Sequence, residues 1–418
     1  MSAGEDGRTE AQIAVVGAGL TGLAAAAALS QTGFDVVLAA PAFDPVAAAA
    51  DTRSSALLPP SVQLLENLNV WETCALASAP LLGVRIVDDR GGIVRAPEVL
   101  FEAREIGRPN LGANVPNAAL STAFNAKLAA SSQLRWLATA AVTAVAADAT
   151  AVHLRLAEGG SIRAPLLVAA DGRNSIARAA AGISARTWDY PQAAIATSFG
   201  HSRPHAGITT ELHRRAGPLT TVPLPGAASS LVWVEDPAHA ARLAELSERE
   251  FKATLEGRLQ GFLGAIETLG PRARFPLRGL SASTMARQRI ALVGEAAHVI
   301  APIGAQGLNL GLRDVATLTD CLADARAAGR DIGGVETLDS YARARAADIA
   351  SRAAMVDLLN RSLLTDFLPA QALRGFGLHL LALSGSLRRL AIQGGVNAPG
   401  PLPRLMRPVQ EHTEGGAV

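Results

Sequence analysis

The sequence predicts an α/β protein built on a parallel sheet, and two observations carry this prediction. The apolar run at 12–17 (QIAVVG) is followed at once by glycines and by TGLAAAAALSQTG, a stretch dense in alanine and leucine. A second apolar run, FDVVLAA, comes next. A strand, a tight turn, a helix and a second strand within about 30 residues form a β-α-β unit, whose strands are parallel and joined by a right-handed crossover.

The pattern then changes. Residues 83–101 hold two strand-like runs on either side of Asp89, Arg90, Gly91 and Gly92, which is typical of a hairpin. A helical pattern follows at NAALSTAFNAKLAA. We expect the strand-like pieces near 134–145 and 151–169 to return to the first sheet.

From about 187 to 280, β-type runs such as TTVPL and SSLVWVED alternate with Pro and Gly and with one clear helix at about 246–261. This predicts an antiparallel sheet in a second domain. At 289–294, RIALVG reads as one more buried strand, followed by a glycine-rich loop and the helix LRDVATLTDCLADARAAG. Everything after about 335 is expected to be helical.

The composition fits a large globular enzyme rather than a binding module. The chain has 418 residues, 49% of them hydrophobic and 18% charged, which allows two or three domains with a sizeable core. A formal net charge of +1 provides no field for a polyanion, so we expect no nucleic-acid partner. Cys74 and Cys321 are the only cysteines, which excludes a disulfide framework and a thiolate cluster and favours two small core residues.

The chain termini and apolar runs bear on location. The first residues, MSAGEDGRTE, lack a basic segment followed by an apolar one, so we see no export signal. No run reaches the roughly 18 apolar residues that a spanning helix needs. We expect a cytoplasmic protein, with peripheral contact at the inner face of the membrane as an alternative.

Gly17, Gly19 and Gly22 fit G-x-G-x-x-G between a strand and a helix. The first glycine allows the tight turn, the second lets the backbone approach a pyrophosphate, and the third packs the helix on the strand. The helix N-terminus then faces the phosphates with free N–H groups. This context favours dinucleotide binding over a purely structural turn, but it does not separate FAD from NAD.

Three further motifs follow in order. Asp51, Arg53, Ala56 and Leu57 form Asp-x-Arg-x-x-Ala-Leu, and Asp171 ends a strand in LLVAADGRNSIAR. The third is the stretch VGEAAHVIAPIGAQGLNLG. With these motifs the chain resembles the flavoprotein monooxygenases of the p-hydroxybenzoate hydroxylase class, and within that class the FAD-dependent hydroxylases of ubiquinone biosynthesis. The resemblance spans residues 13 to about 395.

The resemblance implies a Rossmann-like FAD-binding domain built from discontinuous segments, with an inserted α+β substrate domain. We place the FAD-binding segments at 1–80, 113–186 and 281–345, the substrate-domain segments at 81–112 and 187–280, and a helical C-terminal region at 346–418.

The resemblance also implies roles for single residues. Arg53 would approach the ribityl or phosphate part of the flavin, and Asp171 and Gly172 would form the motif shared by FAD and NAD(P)H binding. Gly294 and Glu295 would face the ribityl chain. The residues expected to line the isoalloxazine are Pro302, Gly304, Gln306, Gly307, Leu308 and Asn309.

A glycine-rich loop followed by a helix offers N–H donors to the N1–C2=O edge, where negative charge develops on reduction. The implied reaction is capture of O2 as a flavin C4a-hydroperoxide and transfer of oxygen to an electron-rich phenolic ring, with NAD(P)H as reductant and no metal. Pro302 and Gly304 are the candidate catalytic positions. His298 is a candidate base, although a structural role beside the cofactor is the favoured interpretation.

Two departures from the family stand out. Where the second strand usually ends in an acid that holds the adenosine ribose, this chain has Ala40. Loss of a charged hydrogen bond of about 1.5–3 kcal/mol weakens FAD binding roughly 10- to 100-fold. The usual Gly-Asp pair is Gly294-Glu295 here, whose longer side chain requires a local shift or a water.

Other chemistries find little support. His201 and His205 have an i, i+4 spacing, but Pro204 between them disfavours a regular helix, and we assign no metal. No G-x-S-x-G motif supports a hydrolase. We expect instead a closed apolar cavity for a hydrophobic aromatic substrate, with walls from 187–280 and from Ala301–Gly304.

The tail at 361–395 mixes Leu and Phe with Arg374, Arg388 and Arg389, and its charge-free middle, Gly375–Leu387, is short enough to lie at a membrane interface. A tail packed on the FAD-binding domain or on a partner is the alternative.

The function that the resemblance implies is hydroxylation of a polyprenyl phenol in ubiquinone biosynthesis, and a ubiquinone-biosynthesis complex is an expected partner. Two alternatives stay open: a hydroxylase of a soluble aromatic compound, and a non-catalytic subunit with this fold.

Overall fold

The structure of the protein is a computed structural model that describes residues 8–90, 96–301, 306–364, 368–396 and 400–409. Its strands, in chain order, are β1 Arg8–Glu10, β2 Ile13–Val16, β3 Val36–Ala40, β4 Ser54–Leu57, β5 Ala79–Pro80, β6 Gly83–Asp88, β7 Val99–Glu102, β8 Ala113–Pro116, β9 Leu134–Ala138, β10 Val142–Ala147, β11 Val152–Leu156, β12 Ser161–Ala164, β13 Leu166–Ala169, β14 Ala185–His201, β15 Ile208–Arg214, β16 Gly217–Leu224, β17 Ala228–Glu235, β18 Ile266–Leu269, β19 Ala273–Ala282, β20 Ala286–Arg287, β21 Ile290–Leu292 and β22 His298–Val299.

The helices, in the same order, are α1 Leu20–Gln31, α2 Pro45–Ala49, α3 Pro59–Asn67, α4 Trp71–Ala75, α5 Asn117–Ala129, α6 Ile176–Ala180, α7 Pro237–Glu245, α8 Glu248–Leu259, α9 Gln306–Ala327, α10 Val335–Leu364, α11 Leu368–Leu383 and α12 Gly385–Val396. Short 3-10 helices lie at Ala103–Ile106, Gly294–Ala296 and Arg404–Met406.

The predicted parallel sheet is confirmed. Six strands lie in the order β20-β21-β13-β2-β3-β9, and every neighbouring pair is parallel except β20 with β21. β2, β3, β13 and β21 are buried along their whole length. Their continuous apolar runs therefore reflect a sheet that is covered on both faces.

Three neighbouring strands of this sheet end level with one another. Val16 at the end of β2 lies opposite Ala169 at the end of β13, and Ala169 lies opposite Leu292 at the end of β21. The turns that follow these strands therefore emerge side by side at the carboxyl edge, where open α/β sheets bind their ligands.

Helix α1 lies against the sheet with little space between them. Its residues from Gly22 to Ser30 are all buried, because a run of alanines lets the helix backbone approach its neighbours closely. Gly17, with φ +100°, makes the turn before the helix. A Cβ on Gly22 would lie 2.0 Å from the carbonyl oxygen of Gly17, so only glycine fits there.

A second sheet has the order β22-β19-β14-β17-β16-β15-β6-β7, with β18 beside β14. Its pairs are antiparallel except β15 with β6, which confirms the antiparallel sheet expected from 187–280. The hairpin expected at 83–101 is present as the antiparallel pair β6 and β7, and residues 91–95 of its connection lie outside the described residues.

Two predictions about these segments were wrong. β10, β11 and β12 do not return to the parallel sheet but form a separate four-stranded sheet with β1, whereas β9 and β13 do return. The segment at about 187–280 was expected to hold one helix, at about 246–261, but it holds α7 as well as α8. Asp236 caps α7 by accepting from the N–H groups of Ala238 and His239, and Pro237 occupies its first turn, a start signal that went unused.

The C-terminal third is helical, as expected, and α9 begins at Gln306. α12 packs Ile392 and Val396 against Ala103 and Leu111, beside the second sheet rather than on the parallel one. Cys74 is buried, and burial raises the pKa of its thiol to about 11. Cys321 is half-buried against the main core.

The crowding at Gly22 yields a stability prediction. Gly22→Ala should lower the free energy of unfolding by about 1–3 kcal/mol, because the added methyl group cannot avoid the Gly17 carbonyl. Gly257→Ala is the control, since Gly257 lies exposed in α8 with open space around its Cβ position among the described residues. It should stabilise by about 0.5–1 kcal/mol. Urea titration measures both, and a neutral Gly22→Ala would contradict the close helix-strand contact.

Candidate functional site

A cleft of about 600 Å³ lies between the carboxyl edge of the parallel sheet and the second sheet. This volume is within the usual range for small-molecule sites. The described residues that line it include Gly19, Thr21, Gly22, Arg53, Gly172, Arg173, Gly294, Glu295, His298, Gly307 and Leu308, together with the apolar residues Ala194, Ala196, Val232, Phe275, Leu277, Val299, Ile300 and Ala301. The wall expected from 187–280 is therefore present.

The glycines of the three turns fall into two groups. Gly17 and Gly22 are crowded, since a Cβ there would lie 2.3 Å or less from a backbone oxygen. At Gly19, Gly172 and Gly307 an added Cβ would meet no atom of the described residues within 4 Å. The first group closes the packing of strand and helix, and the second leaves bare backbone facing the cleft.

Arg53 stands at the edge of the cleft and is held in place by a neighbouring acid. Its Nε and Nη2 each donate to the Asp51 carboxylate at 2.8 Å, and its Cζ lies 5.6 Å from the centre of the Phe275 ring. Burial alone would raise the pKa of Asp51, but the bonds from Arg53 and from Asn117 hold that pKa below its ordinary value. Arg53 therefore presents a positive charge in a fixed position.

Asp171 follows β13 by two residues and is only partly satisfied. Its Oδ2 accepts from the N–H of Ala177 at 3.2 Å, near the start of α6. Its Oδ1 is buried and has no hydrogen-bond partner among the described residues, and the same holds for Oγ1 of Thr52, which lines the cleft. Buried polar atoms without partners at a cleft indicate a missing ligand.

A buried carboxylate behind the cleft joins two of its lining residues. Asp314 of α9 is 0% exposed. Its Oδ2 accepts from the Gly294 N–H at 3.0 Å and from His298 Nε2 at 2.7 Å, and its Oδ1 accepts from Arg345 Nε at 2.8 Å. Burial opposes ionisation, but the interactions with His298 and Arg345 hold the pKa of Asp314 below its ordinary value. The carboxylate therefore stays charged and fixes the turn after β21.

The hydrogen-bond network around Asp314 continues to the start of α9. Asp348 Oδ2 accepts from Arg345 Nη1 and from Arg313 Nη1, both at 2.7 Å. Asp348 Oδ1 accepts from Arg352 Nε at 3.3 Å, and Arg352 Nη1 donates to Oε1 of Gln306 at 2.9 Å. These residues and Asp314 are all buried. We call Asp314, Asp348, Arg313, Arg345 and Arg352 the buried charge cluster.

Asn309 connects the first turn of α9 to the segment that follows Arg53. Its Nδ2 donates to the Ala56 carbonyl and its Oδ1 accepts from the Leu58 N–H, both at 2.9 Å. The carboxyl end of β4 is thereby held against α9 across some 250 residues of sequence.

The candidate residues named from the sequence converge on this one region. Gly19, Gly22, Arg53, Gly172, Gly294, Glu295, His298, Gly307 and Leu308 line the cleft, while Gly17, Asp171, Gln306 and Asn309 lie directly behind or beside these lining residues. Pro302 and Gly304 lie outside the described residues. Glu295 is exposed and stands 3.8 Å from Arg173.

Ala40 ends β3 at the same edge of the sheet and is 3% exposed, so no carboxylate leaves the strand there. The sequence reasoning missed the buried charge cluster altogether. The signal available for it was the spacing of Arg345, Asp348 and Arg352, which places three charged residues on one face of an alanine-rich helix.

The fold is similar to the folds of several solved structures. The p-nitrophenol 4-monooxygenase PnpA from Pseudomonas putida DLL-E4 superposes with a TM-score of 0.75 at 18% identity, covering 94% of this chain and 100% of that one. Klebsiella pneumoniae HpxO, solved with FAD and uric acid, gives a TM-score of 0.70 at 19% identity and covers 93% and 96% of the two chains. At these identities the likeness concerns the fold.

The chain belongs to the family described as FAD binding domain, whose sequence profile matches residues 10–356. It is an FAD-dependent oxidoreductase of the monooxygenase type. It is 36% identical over 406 residues to the ubiquinone hydroxylase UbiL of Rhodospirillum rubrum, covering 96% of this chain and 93% of the relative. It is 32% identical over 386 residues to the 3-demethoxyubiquinol 3-hydroxylase of Escherichia coli, covering 91% and 97%.

The burial of Asp314 yields a prediction with a defined pH dependence. Asp314→Asn should lower the free energy of unfolding by about 3–5 kcal/mol at pH 7, because Arg345 loses its charged partner in a buried site. A carboxylate whose pKa is depressed in the folded protein stabilises it above the unfolded value, about 3.9, and this contribution disappears as the pH falls.

The difference between wild type and Asp314→Asn should therefore narrow below about pH 4. Asp339→Asn, on the exposed face of α10, is the matched control and should leave stability nearly unchanged. Thermal unfolding from pH 3 to 8 measures all three proteins. A constant difference over that range would refute the assignment of a charged Asp314.

Proposed function

We propose that the protein hydroxylates the ring of a polyprenyl phenol in ubiquinone biosynthesis, with FAD as cofactor and NAD(P)H and O2 as co-substrates. The observation that carries the proposal is the mixed lining of one cleft. The lining combines glycine turns and Arg53 with the apolar side chains of Ala194, Ala196, Val232 and Leu277. The glycine turns suit a dinucleotide, and the apolar side chains suit an apolar ring compound.

The relatives support the choice of substrate. Two proteins that match nearly the whole chain at 32–36% identity are named as hydroxylases of ubiquinone or its precursor. The rat mitochondrial ubiquinone biosynthesis monooxygenase COQ6 is 31% identical over 224 residues. A hydroxylase of a soluble aromatic compound remains the competing proposal within the same fold.

The residues present fit FAD. Gly19 and Gly172 leave open space above the backbone, and the N-terminus of α1 beside Gly19 carries no acidic residue in its first turn. Free N–H groups and the helix dipole there suit the pyrophosphate, and Arg53 adds a positive charge. Asp171 Oδ1 and Thr52 Oγ1 supply polar atoms that still lack partners among the described residues.

Gly294, Gly307 and Leu308 would hold the other end of the cofactor, on the floor that the buried charge cluster supports. When bound, FAD supplies the redox chemistry, accepting electrons from NAD(P)H and activating O2 for transfer of one oxygen atom to the ring.

The work of the chain itself is to bind, orient and exclude water. The side chains of Ala194, Ala196 and Ala301 are small, which leaves room for a ring in the cleft. Val232 and Leu277 would exclude water from that space, which limits side reactions with solvent. His298 faces Asp314 through Nε2, so it orients the turn after β21.

The test is hydroxylation by the purified, FAD-loaded protein of two phenols that differ only in the prenyl chain. With NAD(P)H and O2, the prenylated phenol should gain one oxygen with a kcat/KM at least about tenfold higher, because the apolar chain adds binding energy. Preference for the unprenylated ring would favour the competing proposal, and a protein that takes up no FAD would contradict both.

Ala194→Leu tests whether the apolar lining of the cleft holds the substrate. The larger side chain fills space in the cleft, so kcat/KM for the prenylated phenol should fall about tenfold or more while FAD content stays unchanged. Ala253→Leu, on the exposed surface of α8, is the control. Equal activity of the two variants would show that the substrate binds elsewhere.

We also propose that the C-terminal helices touch a membrane surface, where a polyprenyl substrate resides. α11 and α12 expose Phe376 (62%), Leu383 (83%) and Leu390 (66%), with Leu380 and Leu387 between them. Arg388 anchors α12 to Glu105 at 2.8 Å, which keeps this apolar row directed outward. Arg389 beside it is exposed and suits anionic lipid. No helix among the described residues is long and apolar enough to cross a membrane.

A vesicle flotation assay tests this contact. Wild type should float with vesicles that contain anionic lipid, and Leu383→Glu/Leu390→Glu should lose most of that binding, because the apolar row no longer enters the interface. Ser386→Glu, at an exposed position of α12, is the control for added negative charge alone. Equal flotation of wild type and the double variant would refute the proposed contact.

A further inference from the structure

We propose that the buried charge cluster, acting through its excess positive charge, raises the reduction potential of the bound FAD, with Asp348 and Arg352 as positioning residues. The inference rests on the proposed function only in that it places the isoalloxazine end of FAD beside Gly307 and Leu308. It concerns the redox equilibrium of the cofactor and not the identity of the substrate.

The cluster is unbalanced. Arg313, Arg345 and Arg352 bring three guanidinium groups, whereas Asp314 and Asp348 bring two carboxylates, and every one of these side chains is buried. His298 also contacts Asp314, and it adds no compensating negative charge.

The hydrogen bonds show the same excess of donors. Oδ2 of Asp348 accepts hydrogen bonds from both Arg313 and Arg345, at 2.7 Å each. Nε of Arg313 and Nη2 of Arg345 are buried without a partner among the described residues. The acceptors of the cluster are therefore outnumbered by its donors.

Stability alone does not account for such a cluster. Replacing buried ion pairs by apolar side chains of similar volume is often neutral or stabilising, so an excess buried charge needs another explanation. The cluster lies directly behind the floor of the cleft, since Gly294 and His298 both line the cleft and both bond to Asp314.

Arg352 places one positive charge of the cluster at the start of α9. Its Nη1 bonds to Gln306, the first residue of α9, and the next residue, Gly307, lines the cleft. Arg345, Asp348 and Arg352 share one face of α10, so a single rigid helix fixes these charges relative to the cleft.

The physical effect follows from charge balance. NAD(P)H delivers a hydride, which carries two electrons and one proton, so the flavin ring system gains one negative charge and the nicotinamide is oxidised. A positive charge in a buried site is weakly screened and stabilises the reduced form more than the oxidised form. This difference in binding appears directly as a higher reduction potential.

The experiment measures the reduction potential of FAD-loaded protein by equilibration with a redox dye, together with the FAD dissociation constant and the melting temperature. Arg352→Gln removes one positive charge and should weaken reduced relative to oxidised FAD at least tenfold, a shift of about 30 mV to lower potential. Asp348→Asn removes a negative charge and should shift the potential upward.

The double variant Asp348→Asn/Arg352→Gln restores the original net charge, so its potential should return towards the wild-type value. Arg343→Gln removes the same charge from the exposed face of α10 and should leave the potential unchanged. A purely structural role would lower FAD affinity or melting temperature in both single variants, but it would not move the potential in opposite directions.

Gln306→Glu provides the same test where Arg352→Gln does not fold. It keeps an acceptor for Arg352 and adds one negative charge at the end of the cluster, so the potential should fall. Shifts of the same sign in Asp348→Asn and in the charge-lowering variant, or no shift in either, would overturn the inference. Failure of wild type to bind FAD would instead overturn the proposed function.

Discussion

One buried carboxylate determines how the functional half of the molecule is arranged. Asp314 has no access to solvent, and a buried charge is tolerated only when its lone pairs are occupied by well-placed donors. It receives them from Gly294 and His298 in the turn after β21 and from Arg345 in α10. Meeting the needs of this one group therefore fixes the turn after β21, the helix α9 and the helix α10 relative to one another.

The parallel sheet sets a second constraint on the same region. Since β2, β13 and β21 end level, their turns meet at one edge although they lie far apart in sequence. Asn309 then joins that edge to β4 and so to Arg53. The cleft is an assembly of short pieces, each contributing a backbone surface or one side chain. Its rigidity comes from the elements behind it, while its lining combines glycine and apolar residues with polar and charged side chains.

The features of the fold that leave a local pattern in the sequence could be predicted from it. The β-α-β unit and the glycine turns were readable because a buried strand, an obligatory glycine and a helix start each leave a local signature. The short strands β10 to β12 were assigned to the wrong sheet, since strand patterns do not state which edge a strand joins. The buried charge cluster could not be assigned for a related reason. The spacing of Arg345, Asp348 and Arg352 places them on one face of a helix, but only the packing of α10 on α9 shows that this face is buried.

The order of the strands has a consequence for biogenesis. β13 forms one edge of an incomplete sheet until β21 arrives, and the strands β14 to β19 of the second sheet are encoded between them. Roughly 120 residues separate Ala169 from Ile290, so at about 5–20 residues per second the ribosome needs some 6–25 seconds to supply the missing neighbour. During that interval the nascent chain carries an apolar, unpaired strand edge, which is the kind of surface that aggregates. The order of the strands therefore exposes the nascent chain to aggregation until β21 has been synthesised.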